Sequence, residues 1–201
     1  MKVVGMAGSL HTGSFINRLL EAVGRELPPE AGFTRWPGLA TVPPYVPGPV
    51  PGPALELVRL VDQADGLLLT APEHSLLPAE LGHALRWLTA AGVLAGKHVA
   101  VLSASVRACG AMWAQAELCT QLAGAGAVVT GTELVLSPSC PHFDAQGLLT
   151  ARYLRDQVRD VVDRLCPASV REPVREPVRE PVREPVREPV REPVREPVLS
   201  A

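Results

Sequence analysis

Four short blocks of this chain, 2–7, 66–71, 98–103 and 127–136, are apolar almost throughout, and stretches with helical spacing separate them. The most apolar is GLLLTA at 66–71. A weaker block, GFTRW at 32–36, reads as a further strand. Residues 14–27 set Ile16, Leu19, Leu20 and Val23 on one side of a helix. Further helices are predicted at about 54–62, at 78–91 with Pro78 in the first turn, at 110–123 and at 150–165. A strand that is apolar on both faces must be covered on both faces, and strands that alternate with helices pair in parallel. The fold class predicted is therefore α/β: a three-layer, doubly wound, five-stranded parallel sheet. Of the two common strand orders for such sheets, 2-1-3-4-5 is the one expected here.

Two segments break the alternation. Residues 37–53 hold seven prolines in seventeen positions, which forbids regular helix or a central strand and predicts a stiff, irregular surface excursion. From Val170 the tetrapeptide VREP repeats seven times, ending at Pro197. Each unit carries one Arg and one Glu, so the repeat is neutral. Proline at every fourth position excludes helix and ladder pairing and pushes each preceding Glu toward extended geometry. Residues 167–201 are expected to be a disordered tail biased to polyproline II, and residues 1–166 the folded domain. In that helix a four-residue repeat turns each new unit by about 120°, so the valines never form one apolar stripe. The PxxxP spacing also differs from the PxxP of proline-groove ligands, which favours a spacer over a docking motif.

Composition narrows the function classes. A net charge of −2 over 201 residues, with only two lysines (Lys2 and Lys97), argues against a nucleic-acid binder, which would need a basic surplus. Cys109, Cys119, Cys140 and Cys166 show no CxxC pairing, neither a zinc pattern nor a dense disulfide framework, and are expected to be reduced thiols. The N-terminal apolar stretch is short and broken by glycine, unlike a signal peptide, and no segment reaches the roughly 18 apolar residues of a membrane span. A soluble, cytoplasmic protein is expected.

Ligands of open parallel sheets sit at the carboxyl ends of the strands, beside the topological switch. Three segments fall there. The first, GSLHTGSFIN at 8–17, combines turn-forming glycines, hydroxyls from Ser9, Thr12 and Ser14, and a helix start with free N–H groups and positive dipole. Such a loop can hold a phosphate without a lysine, although Ser14 alone would serve as an ordinary N-cap. Gly8 to Ser14 has Walker A glycine spacing, yet Ser14 stands where that loop needs lysine, and no GxGxxG follows the first strand. ATP hydrolysis and a Rossmann dinucleotide site are both disfavoured. The second segment is TAPEHSLLP at 70–78, where the adjacent Glu73 and His74 have the wrong spacing for a two-ligand metal site. The third, SASVRACG at 103–110, is small and polar.

Here the chain resembles a known family. GSLHTGSFINRLL is similar to the GSLRxGSxNxxL phosphate loop of NADPH-dependent FMN reductases, and APEHSLLPAELGHALRWL to their PEYNxSxPGxLKNAxDWL. The resemblance spans roughly residues 1–166. It implies a flavodoxin-like fold, noncovalent FMN, NADPH or NADH as hydride donor, and a homodimer. Position by position, it implies that Ser9, Ser14 and Asn17 hold the FMN phosphate, and that His11 and Phe15 of the same loop also belong to the cofactor site. Pro72, Glu73, His74 and Ser75 would edge the isoalloxazine, with Ser103 and Ser105 closing the other side. Trp87 falls on the family's helix tryptophan, where core or dimer packing is the better reading. Three positions depart from the pattern: His11 replaces arginine, His74 replaces tyrosine and Ser75 replaces asparagine. The phosphate thereby loses a permanent charge and a bidentate fork. A histidine contributes charge only when protonated, so FMN retention is expected to weaken as pH rises.

The resemblance implies a reductase that passes electrons from reduced nicotinamide through FMN to a small acceptor such as a flavin or quinone. The cofactor would carry the chemistry, so no side chain is assigned a catalytic role and no metal is expected. A flavodoxin-type electron carrier is the first alternative, disfavoured because docking carriers are strongly acidic. A flavin-free binding module of the same fold is the second.

Overall fold

The strands form at the blocks that predict them. A computed structural model describes residues 1–72, 76–105, 111–136 and 141–165, all within one unit, Met1–Arg171. The VREP repeat and its predicted disorder lie outside the described residues, as do Glu73, His74, Ser75, Cys109, Cys140 and Cys166. Strands β1 (Lys2–Ala7), β2 (Gly32–Trp36), β3 (Gly66–Thr70), β4 (His98–Ser105) and β5 (Val128–Val135) form one sheet, order β2-β1-β3-β4-β5, parallel at every pairing. This is the flavodoxin-like arrangement predicted. Helices α1 (Phe15–Arg25), α2 (Gly52–Asp62), α3 (Ala79–Ala90), α4 (Met112–Gly124) and α5 (Arg152–Leu165) fall within two residues of their expected bounds.

Side-chain alternation along each strand divides the core into two layers. Val3, Leu68, Ala100 and Leu102 face α1 and α5, while Val4, Met6, Leu67, Leu69, Val99 and Val101 face α2, α3 and α4. All of β3 is buried, so Leu67, Leu68 and Leu69 together contribute several kcal/mol at about 1.5–3 kcal/mol per fully buried side chain. The outer strands differ from the expectation of uniformly buried strands. β5 leaves Val128 and Val135 about half exposed because it is an edge strand, with a neighbour only at β4 among the described residues. Its pairing with β4 continues to Ser105↔Val135, which lengthens β4 by two residues beyond the apolar block.

The proline-rich segment is irregular through Pro51 apart from one 3-10 turn, Gly38–Thr41. Its last two residues, Gly52 and Pro53, already belong to α2, because a proline in the first helical turn gives up no hydrogen bond. The segment is anchored, however, and the anchors lie one turn apart on α3. His83 Nδ1 accepts the Tyr45 N–H at 3.1 Å, and Trp87 Nε1 donates to Pro43 O at 3.1 Å. Tyr45 also packs edge-on against Trp87, with centroids 4.8 Å apart. Trp87 is buried, so the packing reading of this tryptophan holds. Among the described residues no helix is long and apolar enough to cross a membrane.

Candidate functional site

Strand order reverses direction between β1 and β3, and the loop from β1 into α1 emerges at that switch. Gly8 seats the loop: its N–H donates to Thr70 O at 2.7 Å, and a Cβ there would stand 2.6 Å from that oxygen and 3.0 Å from Pro72 Cδ. Only glycine allows this approach. The buried Thr70 hydroxyl donates to Ile16 O at 3.3 Å, tying the end of β3 to the first turn of α1.

Beneath the loop lies Asn17, 4% exposed. Its Nδ2 donates to His11 O at 2.7 Å and Ser14 Oγ at 3.0 Å, with Ser9 O at 3.4 Å. The peptide bonds are trans, so each N–H points opposite to the carbonyl of its own plane. Drawing the carbonyls of Ser9 and His11 inward therefore turns the N–H groups of Leu10 and Thr12 outward. Among the described residues no acceptor takes those two groups, nor the N–H groups of Gly13 and Phe15. They sit at the positive end of the α1 dipole.

Ser14 is the N-cap of α1, accepting the Asn17 N–H at 3.3 Å. With Asn17 Nδ2 as its second donor, both lone pairs of the hydroxyl are engaged, and its O–H remains to be donated. The capping and ligand readings of Ser14 are thus compatible. Ser9 Oγ accepts the His11 N–H at 3.3 Å.

A cavity of about 250 Å³ opens against this loop. Gly8, Ser9, His11 and Ser14 form one wall, and Pro72, Leu76 and Pro78 the apolar other. Outward N–H groups and a free hydroxyl suit a phosphate monoester, and a proline-edged apolar wall suits one face of a flat ring. FMN has both parts, so the described residues fit it.

Other predicted residues are placed differently. Asn17 is turned into the loop, with its amide atoms all partnered, and does not line the cavity. The Phe15 ring packs against His142 and Phe143, at 5.6 and 5.0 Å between centroids, leaving only its backbone N–H at the helix start. Ser103 is wholly buried and donates to Gln115 of α4, and Ser105 donates to Glu133 of β5 at 2.9 Å. Neither serine lines the cavity among the described residues. Sequence reasoning missed Thr70 and Arg35. Arg35 was legible as the one charge in an otherwise uncharged strand, GFTRW.

A five-stranded 2-1-3-4-5 sheet with an anion-suited loop at its switch point defines a flavodoxin-like α/β domain. Residues 1–140 match the model of the NADPH-dependent FMN reductase family, and the chain belongs to that family. It is accordingly an NAD(P)H-dependent oxidoreductase that uses FMN and a reduced nicotinamide. Solved structures share the fold. FerB, described as a flavoenzyme NAD(P)H:(acceptor) oxidoreductase from Paracoccus denitrificans, is 24% identical with a TM-score of 0.71, over 82% of this chain and 96% of that one. The apo form of the NADH:FMN oxidoreductase EMOB is 17% identical with a TM-score of 0.62, over 82% of this chain and 89% of that one. An oxidoreductase from Corynebacterium diphtheriae is 15% identical with a TM-score of 0.60, over 85% of this chain and 97% of that one. No curated protein sequence matches the chain.

Proposed function

We propose that the enzyme passes electrons from reduced nicotinamide to a small acceptor, a free flavin or a quinone, at the cavity beside residues 8–14. The observation that carries this reading is the pair of peptide planes tied inward by Asn17, which presents the N–H groups of Leu10 and Thr12 as preformed anion donors. Together with the Gly13 and Phe15 N–H groups and the Ser14 hydroxyl, they would hold the FMN phosphate. His11 at the rim adds a further donor. Pro72, Leu76 and Pro78 would bear on the ring and keep water from one face, and the family resemblance adds Glu73, His74 and Ser75 to its edge. Bound FMN supplies two-electron hydride acceptance and return. The protein's part is to bind, orient and shield, so no side-chain nucleophile or base is assigned.

Ser103 and Ser105 act from behind, holding α4 and β5 against the sheet end. The stiff segment 37–53, clamped by His83 and Trp87, would shape acceptor choice. We also propose a cytoplasmic homodimer. The exposed Leu76 and Trp113, at 81% and 70%, support burial of apolar side chains against a partner copy. Light scattering at micromolar concentration should give twice the chain mass.

The test of function is anaerobic. The FMN-loaded chain should be yellow and should bleach on addition of NADPH or NADH, then recover colour on adding a quinone. Colour that persists with both nicotinamides would indicate a carrier, and a chain that ignores added FMN would refute the site.

A further inference from the structure

The side chain that aims Asn17 belongs to β2. Phe33 and Arg35 both point to the α1 side of the sheet, and Arg35, two residues nearer the carboxyl end, reaches the first turns of α1. Its Nη2 donates to Asn17 Oδ1 at 2.6 Å, and its Nη1 pairs with Glu21 Oε1 at 3.1 Å. Asn17 and Glu21 are one helical turn apart, so the planar fork spans both, which an ammonium could not. Its buried Nε has no partner among the described residues, so Nη1 and Nη2 carry all its contacts there.

An amide can face either way. A donor fixed on Oδ1 leaves Nδ2 pointing at the loop, where the carbonyls of Ser9 and His11 need it. We infer that Arg35 is a positioning residue for phosphate recognition: through Asn17 it sets the peptide planes whose N–H groups face the ligand. The arginine does not line the cavity, and Glu21 balances its charge, so its effect is orientation and not direct attraction. This loop has histidine where the family has arginine, so it leans on backbone donors, and their preorganisation decides how well a phosphate is held.

The inference rests on the proposed phosphate site, and the test separates the two. The full-length apoprotein is titrated with FMN and with riboflavin, which has the same ring and no phosphate, following quenching of flavin fluorescence. Wild type should prefer FMN. Arg35→Met should weaken FMN by roughly tenfold, the loss of one charge-assisted bond. It should change riboflavin by less than about twofold, the scale of a neutral surface substitution. Arg35→Lys keeps a charge and a donor but not the fork, so its preference should fall by about threefold. Equal losses for both flavins in Arg35→Met, or an undiminished preference in either variant, would overturn the inference. Should Arg35→Met fail to fold, the Lys variant alone decides. A wild type that binds riboflavin as tightly as FMN would instead overturn the phosphate site itself.

Discussion

Replacing Asn17 by alanine isolates the energetics of the loop before any ligand is bound. The two Nδ2 hydrogens serve His11 O and Ser14 Oγ, with Ser9 O sharing at longer range, and Oδ1 receives the charged Arg35 donor. Two neutral bonds at about 1 kcal/mol each and one charge-assisted bond at about 1.5–3 kcal/mol sum to roughly 3.5–5 kcal/mol. The Asn17–His11 bond is only part-buried and Arg35 keeps Glu21, so water and that ion pair recover part of the loss. The expected cost is about 3 kcal/mol, a large share of the 5–15 kcal/mol typical of a domain. Urea unfolding of the apoprotein followed by circular dichroism measures it. Thermal melting should fall by about 6–12 °C at 2–4 °C per kcal/mol. Asn17→Asp is the control, because it keeps the volume and the Arg35 bond while removing both donors. It should still cost about 2 kcal/mol, since the loop carbonyls would face a carboxylate. An Asn17→Asp variant within about 0.5 kcal/mol of wild type would refute the reasoning, leaving the alanine effect to a void alone.

Three further substitutions probe the frame around the site. Gly24→Ala places a methyl 2.5 Å from Phe33 Cε1, so overpacking should outweigh the helix gain of about 1 kcal/mol. A lowered melting temperature that Phe33→Leu restores would bear this out. Trp87→Phe keeps the ring against Tyr45 but gives up the bond to Pro43 O, and should cost about 1 kcal/mol with faster proteolysis of residues 37–53. Burial pushes the Cys119 thiol up, so peptide-resolved alkylation at neutral pH should be slower there than at a free thiol and accelerate only at higher pH. The sign for stability follows: the folded state holds this proton more tightly. The contribution is full below the unfolded thiol's range and is lost as pH rises through the folded one, a dependence that Cys119→Ala should remove.

The sheet was legible because its central strands are buried on both faces, and a run such as Gly66 to Thr70 has no other economical home. The edges were harder. β5 shows the same apolar block as β4 yet stands half exposed, since position in the sheet, not composition, decides how many faces are covered. At the site, the phosphate loop announced itself through its glycines and hydroxyls. Which of those residues face the ligand did not, because the loop's direction depends on contacts 18 residues apart between Asn17 and Arg35. Ser103 likewise has the composition of a binding residue and the burial of a core one, with Gln115 supplying a partner twelve positions on.

The remaining question at the loop is how much a permanent charge would add to preformed backbone donors, and His11→Arg answers it. His11 lines the cavity and its side chain has no hydrogen-bonding partner among the described residues, so a longer group can reach the phosphate without displacing one. A guanidinium there offers a bidentate fork worth about 1.5–3 kcal/mol. Ordering a side chain with about 2 kcal/mol of rotamer entropy offsets part of this. The net expectation is FMN binding tightened by roughly three- to tenfold, with riboflavin unchanged. Screening should erase much of that gain toward 1 M salt, where the Debye length is about 3 Å. FMN affinity unchanged at low salt would mean that position 11 does not face the phosphate. A gain shared by riboflavin would move His11 from the phosphate to the ring, and the loop would have to be turned about with it.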